Sequence, residues 1–168
     1  DHGTWSVLVH AFPDASIPVV QLSINADKPL EYHFQLGAKL APLRRQGVLV
    51  VGSGNVVHNL GAMSWDLGGV GFDWAARFDD DAKAIMLSNP SEALRLDGHR
   101  DFRAAVPTPD HFIPLLYLAG LAEVAAEIDI LADGYAYGSL SMTSYTLGLA
   151  HCGDSDIVRS EPPPPPSL

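Results

Sequence analysis

The apolar positions of this chain fall into runs of different period. IPVVQLSI (Ile17–Ile24) and GVLVVGSG (Gly47–Gly54) are nearly continuous in apolar, β-branched residues, the pattern of strands buried on both faces. Between them, Leu30, Phe34, Leu36, Leu40 and Leu43 recur close to helical spacing, and Gly47 ends the run. Strand, helix and strand in so short a stretch predict a βαβ unit with parallel strands. Farther on, Trp74, Phe78, Ala82 and Ile85 mark the inner face of an amphipathic helix over Phe72–Ser88, stopped by Asn89-Pro90. Ser91 caps a short helix through Leu96, and Asp101–Ala105 forms another turn. Thr108-Pro109-Asp110 combines a capping threonine, a proline at the first helical position and an acid in the first turn. It opens the almost wholly apolar HFIPLLYLAGLAEVA, which Pro114 is expected to kink early. Two strand-like segments follow, Glu127–Tyr137 and Ser139–Leu147, and the alternation of SLSMTSYTL suits an antiparallel partner.

The fold class expected from this order is α/β: a mixed, mostly parallel sheet flanked by helices. Doubly buried strands need neighbours and helices on both faces. The elements above barely supply them, so an N-terminal part of the domain is expected to be missing. Residues 1–148 read as a single domain. Residues 149–168 read as a tail, HCGDSDIVRSEPPPPPSL extended by the two preceding residues, with a polyproline run at Pro162–Pro166 expected to be disordered.

Composition narrows the choice. The chain has 168 residues, 47% hydrophobic and 18% charged, which suits a folded core. A net charge of −10 argues against a nucleic-acid backbone or an anionic membrane as partner. The lone Cys152 leaves no disulfide framework and no cysteine metal cluster, and a reducing, cytoplasmic setting is expected. No apolar run is long enough to span a bilayer. Seven histidines stand against ten lysines and arginines, so any metal site would rest on His, Asp and Glu.

VLVVGSGNVVHNLG (Val48–Gly61) poses the chemical question, because its glycines suit a phosphate and its histidine suits a metal. Gly52 and Gly54 start a dinucleotide pattern, but Val57 replaces its third glycine and no Lys-Ser/Thr follows. His58 is then the one chemically capable side chain of the loop, just past a predicted strand. His111 lies in the first turn of a buried helix, and His2 stands beside Asp1 and Gly3 in DHGTW. A lone histidine in such a place is more often a structural hydrogen-bonder than a ligand. His33 reads as a surface or packing residue, and His10, His99 and His151 have no supporting context. No H-x-x-x-H or H-E-x-x-H spacing names a metal. The residues by themselves support a histidine-based metal site in an α/β domain.

The same residues carry a resemblance. DHGTW, IPVVQLSI, HFQLGAKLAPLRRQGVLVVGSGNVVHNL, PTPDHFIPLLYLAG and YGSLSMTSYTLG, in this order, resemble the class III extradiol ring-cleavage dioxygenases, and within them the 4,5-DOPA extradiol dioxygenase branch. The likeness runs from Asp1 to about Gly148. It implies a non-haem Fe(II) enzyme that binds a catechol, such as DOPA, and opens its ring beside the diol with O2. It implies that His58 and His111 belong to the metal centre, where zinc is also seen in this branch, and that His2 binds substrate or moves its proton. In related protocatechuate-type enzymes the histidine at the position of His58 is instead the acid–base residue, so both roles stay open for it. The family's two further metal histidines lie on segments before DHGTW. The chain is therefore expected to be a C-terminal portion with an incomplete metal site and little activity alone. A zinc-binding or metal-free relative, or an interaction module working through the proline tail, is the alternative. Trp5, Met142 and Tyr145 are candidates for the substrate pocket, though core packing explains them equally well.

Overall fold

A computed structural model describes residues 2–122, 127–148 and 158–159 of the chain. Five α-helices run in order: α1 (His2–Ala11), α2 (Leu30–Arg44), α3 (Asp73–Ser88), α4 (Phe102–Ala105) and α5 (Ile113–Leu121). Three 3-10 segments lie between them, Leu60–Ala62, Pro90–Gly98 and Pro109–His111. The strands are short and late: β1 (Ile128–Asp133), β2 (Tyr135–Ala136), β3 (Leu140–Ser141), β4 (Ser144–Leu147) and β5 (Val158–Arg159). β1 pairs antiparallel with β4, with an irregularity between Ile130 and Ala132, and β2 pairs antiparallel with β3. β5 adds two parallel pairings to β1.

The described residues are thus mostly helical, and the expected mixed, mostly parallel sheet is not found among them. The βαβ reading fails at both strands. Residues 17–24 and 48–54 form neither strand nor ladder among the described residues. Their apolar side chains face solvent, with Val20 94% and Leu49 64% exposed. A β-branched run supplies the propensity for a strand, but a strand also needs a neighbour to receive its N–H and C=O groups. Among the described residues neither segment pairs with a neighbouring strand. The helix between them does form, and so does the antiparallel pairing of the two C-terminal segments, broken into hairpins at Gly134 and Gly138.

The core lies where α3, α5, the 90–98 turn and the β1–β4 hairpin meet. Ala75, Phe78, Ala82 and Met86 of α3 are fully buried, so the stripe sits about one residue around from the expected one, and Trp74 and Ile85 pack at its margin. Phe78, Phe102 and Phe112 form an aromatic triangle with centroids 5.6–6.1 Å apart. Each fully buried aromatic of this kind is worth roughly 1.5–3 kcal/mol. Pro114 does not kink a long helix. It starts α5, and the 3-10 turn before it holds His111.

α2 crosses α5 at close range. A Cβ on Gly37 would run into the Tyr117 backbone, and one on Gly120 into the Phe34 carbonyl. Arg44 anchors the far end, donating to the Leu121 carbonyl at 3.2 Å and pairing with Glu127 at 3.0 Å. His33 of α2 is completely buried, which settles it as a packing residue. Its Nδ1 lies 3.2 Å from the Tyr117 hydroxyl, and its Nε2 has no hydrogen-bond partner. Burial holds its pKa below the ordinary 6.5, and the nearby backbone of Asn25 and Lys28 opposes this without outweighing it. The folded state therefore takes up this proton less readily than the unfolded state. His33 adds nothing to the pH dependence above pH 6.5, and as pH falls below that value stability declines until the folded pKa is passed. His33→Gln keeps a hydrogen bond to Tyr117 and is expected to flatten that decline in urea-unfolding series across pH. An identical slope in the variant would refute it.

A second buried polar group ties α3 to the hairpins. Asp79 is fully buried. Its carboxylate accepts from Ser141 Oγ at 2.5 Å, Thr143 Oγ1 at 2.9 Å and the Tyr135 hydroxyl at 3.2 Å. Lys83 Nζ lies 3.2 Å away and also reaches Asp80 at 2.9 Å and Asp133 at 3.2 Å. Burial works against the Lys83 ammonium, but Asp80 and Asp79 outweigh it and hold its pKa above the ordinary lysine value.

Candidate functional site

His58 follows two core residues, Val56 and Val57, 4% and 0% exposed. They anchor the chain just before the ring emerges. The His58 N–H donates to the Ala105 carbonyl at 2.8 Å, and His58 forms an isolated antiparallel bridge with Leu140. The next residue is fixed from three sides. The Asn59 N–H donates to Ser139 O at 3.1 Å, its side-chain amide donates to Ala104 O at 2.8 Å, and its carbonyl accepts from Ser139 Oγ at 2.7 Å. Asn59 Oδ1 also accepts from the Ala62 N–H at 3.1 Å, capping the short 60–62 turn. His58 is therefore held on a shelf between α4 and the β2–β3 turn.

His111 is the last residue of the Pro109–His111 turn, and Phe112 and Ile113, both essentially buried, lock it to the core. The two histidines, 53 positions apart in sequence, stack with ring centroids 3.6 Å apart and planes inclined by 13°. Asp110 Oδ2 lies 3.5 Å from His111 Nε2. Burial, and then the neighbouring His111, hold the His58 pKa below its ordinary value, while Asp110 pulls the other way. The Asp110 carboxyl is held low chiefly by a hydrogen bond from the Thr108 side chain. The result is a neutral, half-exposed His58 ring, a second imidazole against its face and a carboxylate at the edge.

Neutral imidazole is the form that binds a transition metal. His58 and His111 fit two places in such a shell, with the Asp110 carboxylate 3.5 Å from His111 Nε2. Among the described residues no three His, Cys, Asp or Glu side chains are grouped to hold a metal ion. The His2 side chain lies outside the described residues, as does the tail with His151 and Pro162–Pro166, apart from residues 158–159. Of the pocket candidates, Trp5 is 57% exposed on α1, Tyr145 packs against the core with a buried, unpartnered hydroxyl, and Met142 is half-buried. His99 pairs with Asp81 at 3.0 Å, away from the stacked pair in the 90–99 region. Sequence reasoning missed Asp79, which stands in a run of three aspartates that reads as a solvated helix face. It also passed over Asn59, whose hydrogen bonds fix the shelf.

The chain as a whole is similar to known proteins. The family described as "Catalytic LigB subunit of aromatic ring-opening dioxygenase" matches residues 1–148. The chain belongs to this family of class III extradiol aromatic-ring-opening dioxygenases, as the resemblance implied. Its relatives include the 4,5-DOPA dioxygenase extradiol of Escherichia coli (strain K12), 43% identical over 88% of this chain and 56% of that protein. The protein of the same description from Beta vulgaris is 33% identical over 86% of this chain and 54% of its own length. The crystal structure of an uncharacterized protein from Escherichia coli K12 superposes with a TM-score of 0.78 at 42% identity, over 88% of this chain and 62% of that one. The chain thus spans about half the length of the curated relatives it matches. No helix among the described residues is long and apolar enough to cross a membrane.

Proposed function

We propose that this chain contributes two metal-binding histidines, His58 and His111, to an Fe(II) centre for the extradiol opening of a catechol ring by O2. The single observation that carries the reading is the stacked pair itself. Two imidazoles from distant elements lie 3.6 Å apart, in two of the five motifs through which the chain resembles the family. Fe(II), when bound, supplies the O2 and electron chemistry that no side chain offers. The chain's own work is local. Burial disfavours the protonated His58 ring, and Ala105 and Leu140 hold its backbone. Asp110 supplies negative charge beside His111, favouring a cation between them. His2 is proposed to bind substrate or move its proton. A catechol of the DOPA type is the proposed substrate class, by analogy with the named relatives.

The test is anaerobic Fe(II) loading of the 168-residue chain, with His58→Ala and His111→Ala beside it. Each substitution is expected to lower bound iron by roughly tenfold or more, since a lost ligand costs at least as much as a lost supporting group. Iron equal in all three proteins would sink the reading. Iron retained by His58→Ala, with ring opening of a catechol lost, would make His58 the acid–base residue instead of a ligand. With two ligands fixed, ring opening by the chain alone is expected to be far slower than by a relative of full length.

A further inference from the structure

We infer that Asp79 is a positioning residue for His58, acting through Ser141. The inference rests on the reading of His58 as a site residue, but the contacts that carry it do not involve a metal. Ser141 is the junction. Its Oγ donates to Asp79 Oδ1 at 2.5 Å, its N–H donates to the Val57 carbonyl at 3.0 Å, and its carbonyl accepts from the Asn55 side-chain amide at 2.7 Å. One fully buried serine thus grips the chain on both sides of Val56, directly before His58, and one fully buried carboxylate grips the serine.

The choice of a carboxylate is informative. A buried charge is costly, and well-packed apolar groups often replace such pairs without loss of stability. What a carboxylate offers is acceptance without donation. Three hydroxyls, from Ser141, Thr143 and Tyr135, converge on Asp79 as donors. An amide in its place would turn an NH2 group toward at least one of them. The all-acceptor group therefore sets which way the 141–143 segment faces, and that segment sets the register of residues 55–58 against α4. Lys83 Nζ faces the Asp79 carboxylate at 3.2 Å and is shared with Asp80 and Asp133, and Thr143 Oγ1 also reaches Asp133 Oδ1 at 3.3 Å.

The stacked rings give a readout that needs neither iron nor turnover. Each ring lies in the shielding cone of the other, so the carbon-bound ring protons of His58 and His111 are expected upfield of free histidine. At one alkaline pH, Asp79→Asn should return those of His58 toward free values and should lower Fe(II) affinity roughly tenfold, the lower end for a lost supporting group. Met86→Ala removes a fully buried side chain from the same helix and serves as the destabilised control; its rings should stay shielded. Ser141→Ala cuts only the hydroxyl link and should reproduce the Asp79→Asn spectrum if the latter folds poorly. Shielded rings in Asp79→Asn and Ser141→Ala would overturn the inference. Equal loss of shielding in Met86→Ala would overturn it too, since any core defect would then suffice. Absence of shielding in the unsubstituted chain would instead remove the stacked pair, and with it the reading of the site.

Discussion

Gly120→Val is expected to unfold the chain or to strip it of about 3 kcal/mol or more of stability, at the upper end of overpacking penalties. A Cβ at this position meets the Phe34 carbonyl, with the Ala38 nitrogen at 2.8 Å and the Gly37 carbonyl carbon at 3.2 Å. All three are backbone atoms of α2, so no rotamer change relieves the clash. The helices must part, and the parting opens the core beside Leu116 and Ala119, both essentially buried. It also releases the Phe34 contact and the buried His33–Tyr117 pair. Domains of this size are stable by only about 5–15 kcal/mol, so such a loss is a large share of the total. Urea unfolding measures it as a lower midpoint at unchanged slope. Gly98→Ala, where an added Cβ meets nothing within 4 Å, is the matched control and should move little. A Gly120→Val protein within about 1 kcal/mol of the parent, the ordinary range for point substitutions, would show that the α2–α5 crossing is looser than described.

The contrast between what could and could not be read from the chain has a physical basis. α2 was legible because a helix satisfies its backbone internally, so its apolar period is enough to identify it. The 3-10 turn with His111 was half legible. Thr108-Pro109-Asp110 marked a start, but the same letters allow one kinked helix or a turn followed by a helix. The segments 17–24 and 48–54 misled because a strand is a property of two segments. Their composition promised burial on both faces, and the described residues offer no partner for either. Of the site, His58 and His111 could be singled out by motif, but their approach to stacking distance could not, since 53 positions of chain separate them. Asp79 was illegible for a different reason. In DDDAK nothing distinguishes the buried aspartate from its solvated neighbours except the helical phase set by Phe78, Ala82 and Met86. A phase argument with the stripe placed one residue around would have shown Asp79 pointing inward.

Gly54 offers the complementary experiment, in which the same steric cause strikes the site and spares the fold. A Cβ on Gly54 would meet the His111 carbonyl oxygen, with the carbonyl carbon at 3.1 Å and Pro114 Cγ at 3.0 Å. Here too the obstacle is largely backbone, at the start of α5, and Phe112 and Ile113 hold that backbone against the core. The other side of the contact is free to give way. Residues 48–54 belong to no ladder among the described residues and are rich in exposed side chains. Gly54→Val should therefore push the 52–55 segment outward rather than open the core, and stability should change by less than about 1 kcal/mol. Val56 and Val57 remain buried and keep His58 in place, so the part of the clash that the segment does not relieve falls on the His111 carbonyl and moves the His111 ring off the face of His58. The expected consequence is a loss of Fe(II) affinity of roughly tenfold to a hundredfold, the range for groups that orient a ligand without touching the metal, with the urea midpoint nearly unchanged. Iron binding at the parent level would mean that the glycine merely tolerates the close approach and does not set it. A collapse in stability to match Gly120→Val would mean that 48–54 is part of the packed body after all, and the account of that segment as free to give way would have to be abandoned.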